Sequence, residues 1–355
     1  MKIKNFKIGD NHPPFIIAEF SANHMNNKKN FLKMIDFAKK AKVSAIKLQT
    51  YEAETMTVNV KNKNFRINDK KSIWYKKYMF DLYKRGSTPF KWHKGIFEYA
   101  KKRNLLCFST PFDEESVDKL ESLDAPCYKI ASFECTDLSL IKKVSKTNKP
   151  VIISTGMATL DEIHEAVECA RSNGCKNLAL LKCVSNYPAK HEDLNLSSIN
   201  YFKKIFKCEV GFSDHTIGIG ASVAAVALGA NIIEKHFTLS KNNSGLDSKF
   251  SSDPEELMQL VTEANKAKKS IGKIFIGPVK NEKKARLKRR SIYCIRDIKK
   301  GEKFTLNNIK KVRPGYGLAP KHFFKLIGRK AKKNIKKGHP ITILNSDIII
   351  PILKI

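Results

Sequence analysis

The chain has 355 residues, 42% of them hydrophobic, and a formal net charge of +33. That length buries a large core, as one large domain with an appendage or as two medium ones, and the apolar content excludes a disordered polymer. The charge raises the question of an anionic partner, but lysine is spread along most of the sequence and no aromatic-interleaved basic motif accompanies it, which argues against a nucleic-acid binder.

The opening residues, MKIKNFKIGD, lack the apolar core of a signal peptide. The most apolar stretch, GASVAAVALGANIIEKHF, is short, broken by glycine and ends in charges, so no membrane span is expected. Eight cysteines (107, 127, 135, 169, 175, 183, 208 and 294) are scattered with no C-x-x-C pair, mostly inside apolar runs. They read as small core residues in a reducing compartment, and the expected location is cytoplasmic.

From residue 15 onward, short β-branched runs alternate with longer amphipathic stretches. The predicted strands are FIIAEF (15–20), AIKLQTY (45–51), LLCFSTP (105–111), CYKIAS (127–132), VIISTG (151–156), LALLKCVS (178–185), EVGFSD (209–214) and NIIEKHF (231–237). Helical patterns follow at 27–42, 91–104, 113–124, 138–148, 159–174, 195–206, 218–230 and 253–272. Eight β/α units predict a (β/α)8 TIM barrel. A doubly wound open sheet is the alternative, although the Gly-rich phosphate loop it would normally carry after strand one is replaced by EFSANHMNN. Residues 52–89 are too long for a plain βα loop and suggest a lid or substrate loop. Beyond residue 276, 23 Lys and Arg stand against 4 Asp and Glu. The expected organisation is a catalytic barrel over 1–275, a charged linker over 276–290 and a compact β-rich module over 291–355.

In this barrel class, reactive groups gather where strands end, because there the eight loops converge above a packed interior. Every predicted strand carries such groups: Glu19; Lys47 and Gln49; Ser109 and Thr110; Lys129, Ser132 and Glu134; Ser154 and Thr155; Lys182 and Ser185; Ser213 and His215; Glu234 and His236. His215 and His236 occupy equivalent places on neighbouring strands. Two imidazoles without thiolates suit a divalent ion completed by water and substrate, with Mn2+, Fe2+, Co2+ or Zn2+ all open. Lys47 and Lys129, flanked by Thr110, Ser132, Ser154 and Ser213, suit a small molecule bearing phosphate and carboxylate. A Schiff-base aldolase would also place a lysine at a strand end, and a carbohydrate-binding module on an inactive barrel is a third reading. Lys235 points the opposite way along its strand and reads as structural.

The ordered motifs FIIAEFSANH, AIKLQTY, STPFDEESVDKL, YKIASFE, PVIISTGMAT, LKCVSNYP, GFSDHT and IIEKHFT resemble the sialic acid synthase family, whose members add phosphoenolpyruvate to an aminosugar to make a nine-carbon 2-keto-3-deoxy acid. The tail, with RPGYGL, is similar to that family's antifreeze-like SAF domain, a β-clip fold. SANH in place of a Gly-Val-Asn-His or Gly-Ile-Asn-His run, GLDSKFSS in place of a Gly-Pro-Asp pattern, and Ser185 in place of Asn resemble the subgroup that takes a 2,4-diacetamido-2,4,6-trideoxy-altrose sugar rather than N-acetylmannosamine. The legionaminic and neuraminate reactions are the alternatives. The resemblance implies that His215 and His236 hold a divalent metal ion, Mn2+ with Mg2+ or Co2+ as alternatives. It implies that Lys47, Lys129, Thr110, Ser132, Ser154 and Ser213 hold phosphoenolpyruvate, that Glu19, Gln49, Glu134 and Arg313 bind an N-acetylated aminosugar, and that Tyr187 is a further substrate-binding residue. Glu19, Lys129, Glu134 and Glu234 are the implied catalytic groups. Arg313 would come from a partner subunit in a domain-swapped homodimer, with no nucleic acid and no membrane involved.

Overall fold

The structure, a computed structural model, describes residues 1–70 and 72–349. The chain divides into two compact units, Met1–Gly272 and Lys273–Ile355.

In the first unit eight parallel strands close into a barrel: β1 (Phe15–Glu19), β2 (Ala45–Thr50), β3 (Leu106–Pro111), β4 (Tyr128–Ile130), β5 (Val151–Ser154), β6 (Leu178–Cys183), β7 (Glu209–Asp214) and β8 (Ile232–His236). The ring shuts where β8 pairs with β1, Ile232 opposite Phe15 and His236 opposite Glu19, which rules out the open-sheet alternative. The connecting helices are α1 (Lys28–Lys40), α2 (Phe90–Lys102), α3 (Glu114–Glu121), α4 (Leu138–Ser145), α5 (Leu160–Ser172), α6 (Ser198–Phe206), α7 (Gly220–Ala227) and α8 (Pro254–Ile271). Their starts follow from local chemistry. Asn27, Asp113 and Asp137 cap α1, α3 and α4 by accepting from free N–H groups, and reciprocal capping boxes join Thr159 to Glu162 and Asp253 to Glu256.

Both faces of every strand are covered, which is why the strands read as continuous apolar runs. Alternation still sorts them. Ile16, Ala18, Ile46, Leu48, Ile153, Leu180, Phe212 and Ile233 face outward into the helix layer. Phe15, Ile17, Ala45, Phe108, Cys127, Ile152, Ala179, Leu181 and Ile232 form a separate inner cluster. Ile3 and Ile8, from the leading hairpin, join that cluster and close the end where strands begin. Gly211 belongs to the inner face of β7, where a Cβ would meet Ile232 O at 2.3 Å and Leu181 Cδ2 at 2.7 Å, so only glycine lets β7 and β8 approach this closely. Carried two residues at a time toward the strand ends, the inner parity delivers Glu19, Lys47, Thr110, Lys129, Ser154, Ser213 and Glu234 to the interior.

The insertion between β2 and α2 contains short helices at Ala53–Met56 and Met79–Gly86. It is fastened to the loop after β8, since Trp74 Nε1 donates to Leu246 O at 3.3 Å and Arg85 Nη2 to Ser244 O at 2.7 Å. Among the described residues, no helix is long and apolar enough to cross a membrane.

The second unit pairs β9 (Ser291–Cys294) with β10 (Ile309–Val312) antiparallel, and isolated bridges such as Tyr293 to Pro340 and Ile298 to Ile335 extend the pairing. Its core comprises Ile292, Phe304, Ile309, Leu326, Ile341 and their neighbours.

Candidate active site

The inner parity leads to a pocket of about 50 Å³ at the strand ends. Its walls contain Glu19, Lys47, Gln49, Thr110, Lys129, Ser132, Ser154, Tyr187, Ser213, His215, Glu234 and His236, twelve of the residues selected from sequence. Glu134 stands just beyond, in the 3-10 turn Ser132–Glu134 that follows β4. Arg313 is exposed in the second unit, directly after β10. A larger cleft of about 410 Å³ opens at the opposite end, around Met1, Arg171 and Glu209. Its acids are already engaged, Asp10 by Lys203 and Glu209 by Asn231 and the N-terminal amine.

The floor of the pocket is an ionic cluster. Lys47 pairs with Glu19, lies 3.8 Å from Glu234 Oε2 and donates to Thr110 Oγ1 at 3.0 Å. Lys129 pairs with Glu234 Oε1 at 3.2 Å, and Ser213 Oγ donates to the same oxygen at 3.1 Å. These charges are nearly inaccessible to water, so each group's state depends on its partners. Burial works against the Lys47 ammonium, but Glu19 and Glu234 outweigh it and hold Lys47 above its ordinary range. Burial prevails at Lys129, which is lowered, and at Glu19, which is raised despite Lys47. Glu234, between two ammonium groups, is drawn to about 2 against its burial. Glu234 is therefore the firmer anion of the two carboxylates. The Lys47 and Lys129 amines, with the Thr110 and Ser213 hydroxyls beside them, are donors suited to an anionic ligand.

The imidazoles stand beside this cluster where β7 and β8 end, His236 two residues beyond Glu234 and in register with Glu19, with ring centroids 5.4 Å apart. Tyr187 lies 4.3 Å from His215 and 6.2 Å from His236, Phe250 packs 5.0 Å from His236, and Trp74 from the insertion approaches Tyr187 at 5.8 Å. His215 Nδ1 bonds Val184 O at 2.8 Å, which places its proton there and turns the lone pair of Nε2 toward a ligand. Burial and the neighbouring His215 push His236 well below its usual range, which favours the neutral imidazole. Among the described residues no set of three or more His, Cys, Asp or Glu surrounds one point. A divalent ion here would use two imidazoles and take its other ligands from water and substrate, an open arrangement suited to chemistry. His236 Nδ1 is buried without a hydrogen-bond partner and 3.7 Å from Asp247 Oδ2, close to the carboxylate–histidine pairing that metal sites use. The donors present fit such an ion.

Other buried atoms also lack protein partners among the described residues: Ser154 Oγ, Ser185 Oγ and Glu134 Oε2. Gly156 keeps room open beside them, since a Cβ there would lie 2.2 Å from Ser185 Oγ and 2.8 Å from Ser132 Oγ. Burial raises Glu134 to about 7, a value suited to proton transfer.

Three groups expected at strand ends have structural partners instead, and Lys235 has the structural partners expected of it. Ser109 faces outward, donates to Leu48 O at 2.9 Å and bonds Thr50 Oγ1 at 2.7 Å. Thr155 Oγ1 donates to Leu181 O at 3.0 Å, and Lys182 Nζ to Cys183 O at 3.3 Å. Lys235 faces outward as alternation requires, paired with Asp214 at 3.0 Å and Thr216 O at 2.8 Å. Three neighbours escaped the sequence reading. Cys183 shares the inner parity of Leu181 and packs its Sγ 3.8 Å from His215 Nδ1, which against burial lowers the thiol to about 7. Asp247 and Ser21 come from irregular segments with no period to reveal them.

Comparison with known proteins gives a consistent result. Residues 34–275 match the NeuB family, and residues 289–344 match the SAF domain. A pseudaminic acid synthase of Campylobacter jejuni subsp. jejuni serotype O:2 is 44% identical, over 95% of this chain and 97% of that protein. A pseudaminic acid synthase of Helicobacter pylori is 42% identical over 93% of this chain and 97% of its own length. Among solved structures, the N-acetylneuraminic acid synthetase of Leptospira borgpetersenii in complex with citrate superposes with a TM-score of 0.72 at 35% identity, covering 80% of this chain and 94% of that one.

Proposed function

From the premise that the chain belongs to the NeuB family and carries a SAF domain, we propose that it makes pseudaminic acid: phosphoenolpyruvate, 2,4-diacetamido-2,4,6-trideoxy-altrose and water give the nine-carbon 2-keto-3-deoxy acid and phosphate. The observation that carries the chemistry is that the buried Lys47–Glu234–Lys129 cluster and the paired imidazoles line one pocket.

Phosphoenolpyruvate is the ligand we assign to the lysine side, with its anionic groups toward Lys47 and Lys129 and the hydroxyls of Thr110, Ser132, Ser154 and Ser213. Gln49 and Tyr187 are assigned to the sugar. His215 and His236 would hold a divalent ion, Mn2+ in our assignment, which when bound supplies Lewis-acid polarisation of a carbonyl. The sugar reacts as its open-chain aldehyde. C3 of phosphoenolpyruvate attacks the aldehyde carbon, and Glu134 gives its proton to the oxygen that becomes a hydroxyl. Positive charge then develops at C2, where the ionised Glu234 stabilises it from a fixed position without reorganisation. Water adds at C2 and returns a proton to Glu134. The bond from C2 to the phosphate oxygen breaks, the proton of the new C2 hydroxyl leaves with the phosphate, and the 2-keto group forms. Glu19 orients Lys47 throughout. We further assign Arg313 to the sugar, in a domain-swapped homodimer acting in the cytoplasm.

Phosphate release from phosphoenolpyruvate tests the reaction with the altrose sugar, its manno isomer of the legionaminic type and N-acetylmannosamine, each with Mn2+ and with chelator. Release with the altrose sugar, lost on chelation, is expected. A preference for another sugar overturns the substrate, while borohydride trapping with indifference to chelator restores the Schiff-base reading.

A further inference from the structure

Ser21 follows β1, is buried, and has a φ of 41°, in the left-handed region that non-glycine residues adopt at a cost. Two hydrogen bonds accompany that conformation. Its N–H donates to Glu19 Oε1 at 2.8 Å, and its hydroxyl donates to Asp247 Oδ2 at 2.5 Å. Glu19 is the partner of Lys47, whereas Asp247 lies beside His236. One residue thus orients two buried carboxylates, one paired with Lys47 and one beside His236. Adjacent bonds tie the same segments together: Asn23 Nδ2 donates to Phe237 O at 2.9 Å and Ser251 Oγ at 2.8 Å, and Ser248 Oγ donates to Asn23 Oδ1 at 3.1 Å. The SANH and GLDSKFSS stretches, far apart in sequence, are one hydrogen-bonded unit.

A buried carboxylate beside His236 disfavours an anion near it and favours hydroxyl or amide N–H donors. That is the character of a neutral acetamido sugar. We propose that Ser21 is a positioning residue that determines sugar selectivity, by fixing Asp247 beside His236 while its backbone holds Glu19 on the lysine side; the identity of the sugar in this inference rests on the reaction proposed above.

Ser21→Gly isolates the hydroxyl, because glycine adopts the same φ without strain and keeps the N–H to Glu19. The variant should remain folded, with glycine's ease at this φ offsetting part of the cost of the lost hydrogen bond. Its kcat/KM ratio for the altrose sugar over the manno isomer should fall about tenfold, the scale of a lost hydrogen bond to a charged group, with the KM for phosphoenolpyruvate unchanged. In an Asp247→Asn background the same substitution should add nothing further to the loss. An unchanged ratio, or a rise in the phosphoenolpyruvate KM equal to that of the sugar, overturns the proposal. Amide hydrogen exchange across residues 242–251 reads the link without substrate. Faster exchange in Ser21→Gly supports it and equal exchange overturns it, so a wild-type enzyme inactive with every sugar would defeat the reaction assignment while this measurement still decides the role of Ser21.

Discussion

Glu134 illustrates how burial brings one carboxyl into the range suited to the proton transfer we propose for it. Its pKa is raised to about 7 chiefly by burial, with Lys129 opposing. As the proton donor of the first step it must begin protonated, so kcat/KM should fall as pH rises through about 7, and Glu134→Gln should lose that limb along with most of its rate. The same raised value has a consequence for stability. The folded protein binds this proton more tightly than the unfolded chain does, so the contribution is fully present below the unfolded carboxyl range and is lost as pH rises through about 7. Urea unfolding at pH 5 and pH 8 should therefore show Glu134→Gln gaining on wild type at the higher pH, by on the order of 1 kcal/mol given partial exposure. In the same pocket, His215→Ala or His236→Ala should reduce turnover by at least about a thousandfold, on the scale of lost electrostatic stabilisation, with circular dichroism unchanged. Normal activity in either variant would remove the imidazoles from the mechanism.

At the level of strands and helices, the site follows from a parity rule. Gly211→Ala would drive a Cβ to 2.3 Å from Ile232 O and push β7 from β8, the two strands that carry His215 and His236. A loss of about 1–3 kcal/mol is expected, read as a lower denaturation midpoint, with activity falling alongside it. Asp253→Ala removes the capping box of α8 and should cost about 1 kcal/mol while leaving turnover intact. The same parity explains what sequence could and could not reveal. Lys235 was legible as an outward, structural lysine because it alternates with Glu234 and His236 inside a regular strand. Ser109 was legible only as a strand-end hydroxyl, since assigning its face requires knowing that Phe108 points inward. Cys183 has inner parity too, but an apolar run conceals a cysteine as one more small core residue. Asp247 and Ser21 lie in turns, where no repeat links position to direction, and only the folded chain brings them to His236.

For the whole molecule, the division into a barrel and a β-rich unit matches a change in charge as well as in structure, with 23 basic against 4 acidic residues beyond position 276. Arg313→Ala should raise the sugar KM far more than the phosphoenolpyruvate KM. If the working form is a swapped homodimer, mixing subunits of His236→Ala with subunits of Arg313→Ala should restore activity that neither homodimer has, because a hybrid pair contains one complete site. Absence of recovery in verified hybrids would overturn the swap. The barrel's closing seam carries a different implication, for synthesis. Because β1 finds its partner only in β8, with Glu19 opposite His236, a nascent chain must hold its first strand with one edge unpaired while more than 200 further residues are made. The barrel site therefore cannot assemble before β8 has been made, and a product cut short before Ile232 carries an open edge that chaperones and proteases can recognise in place of a half-formed enzyme.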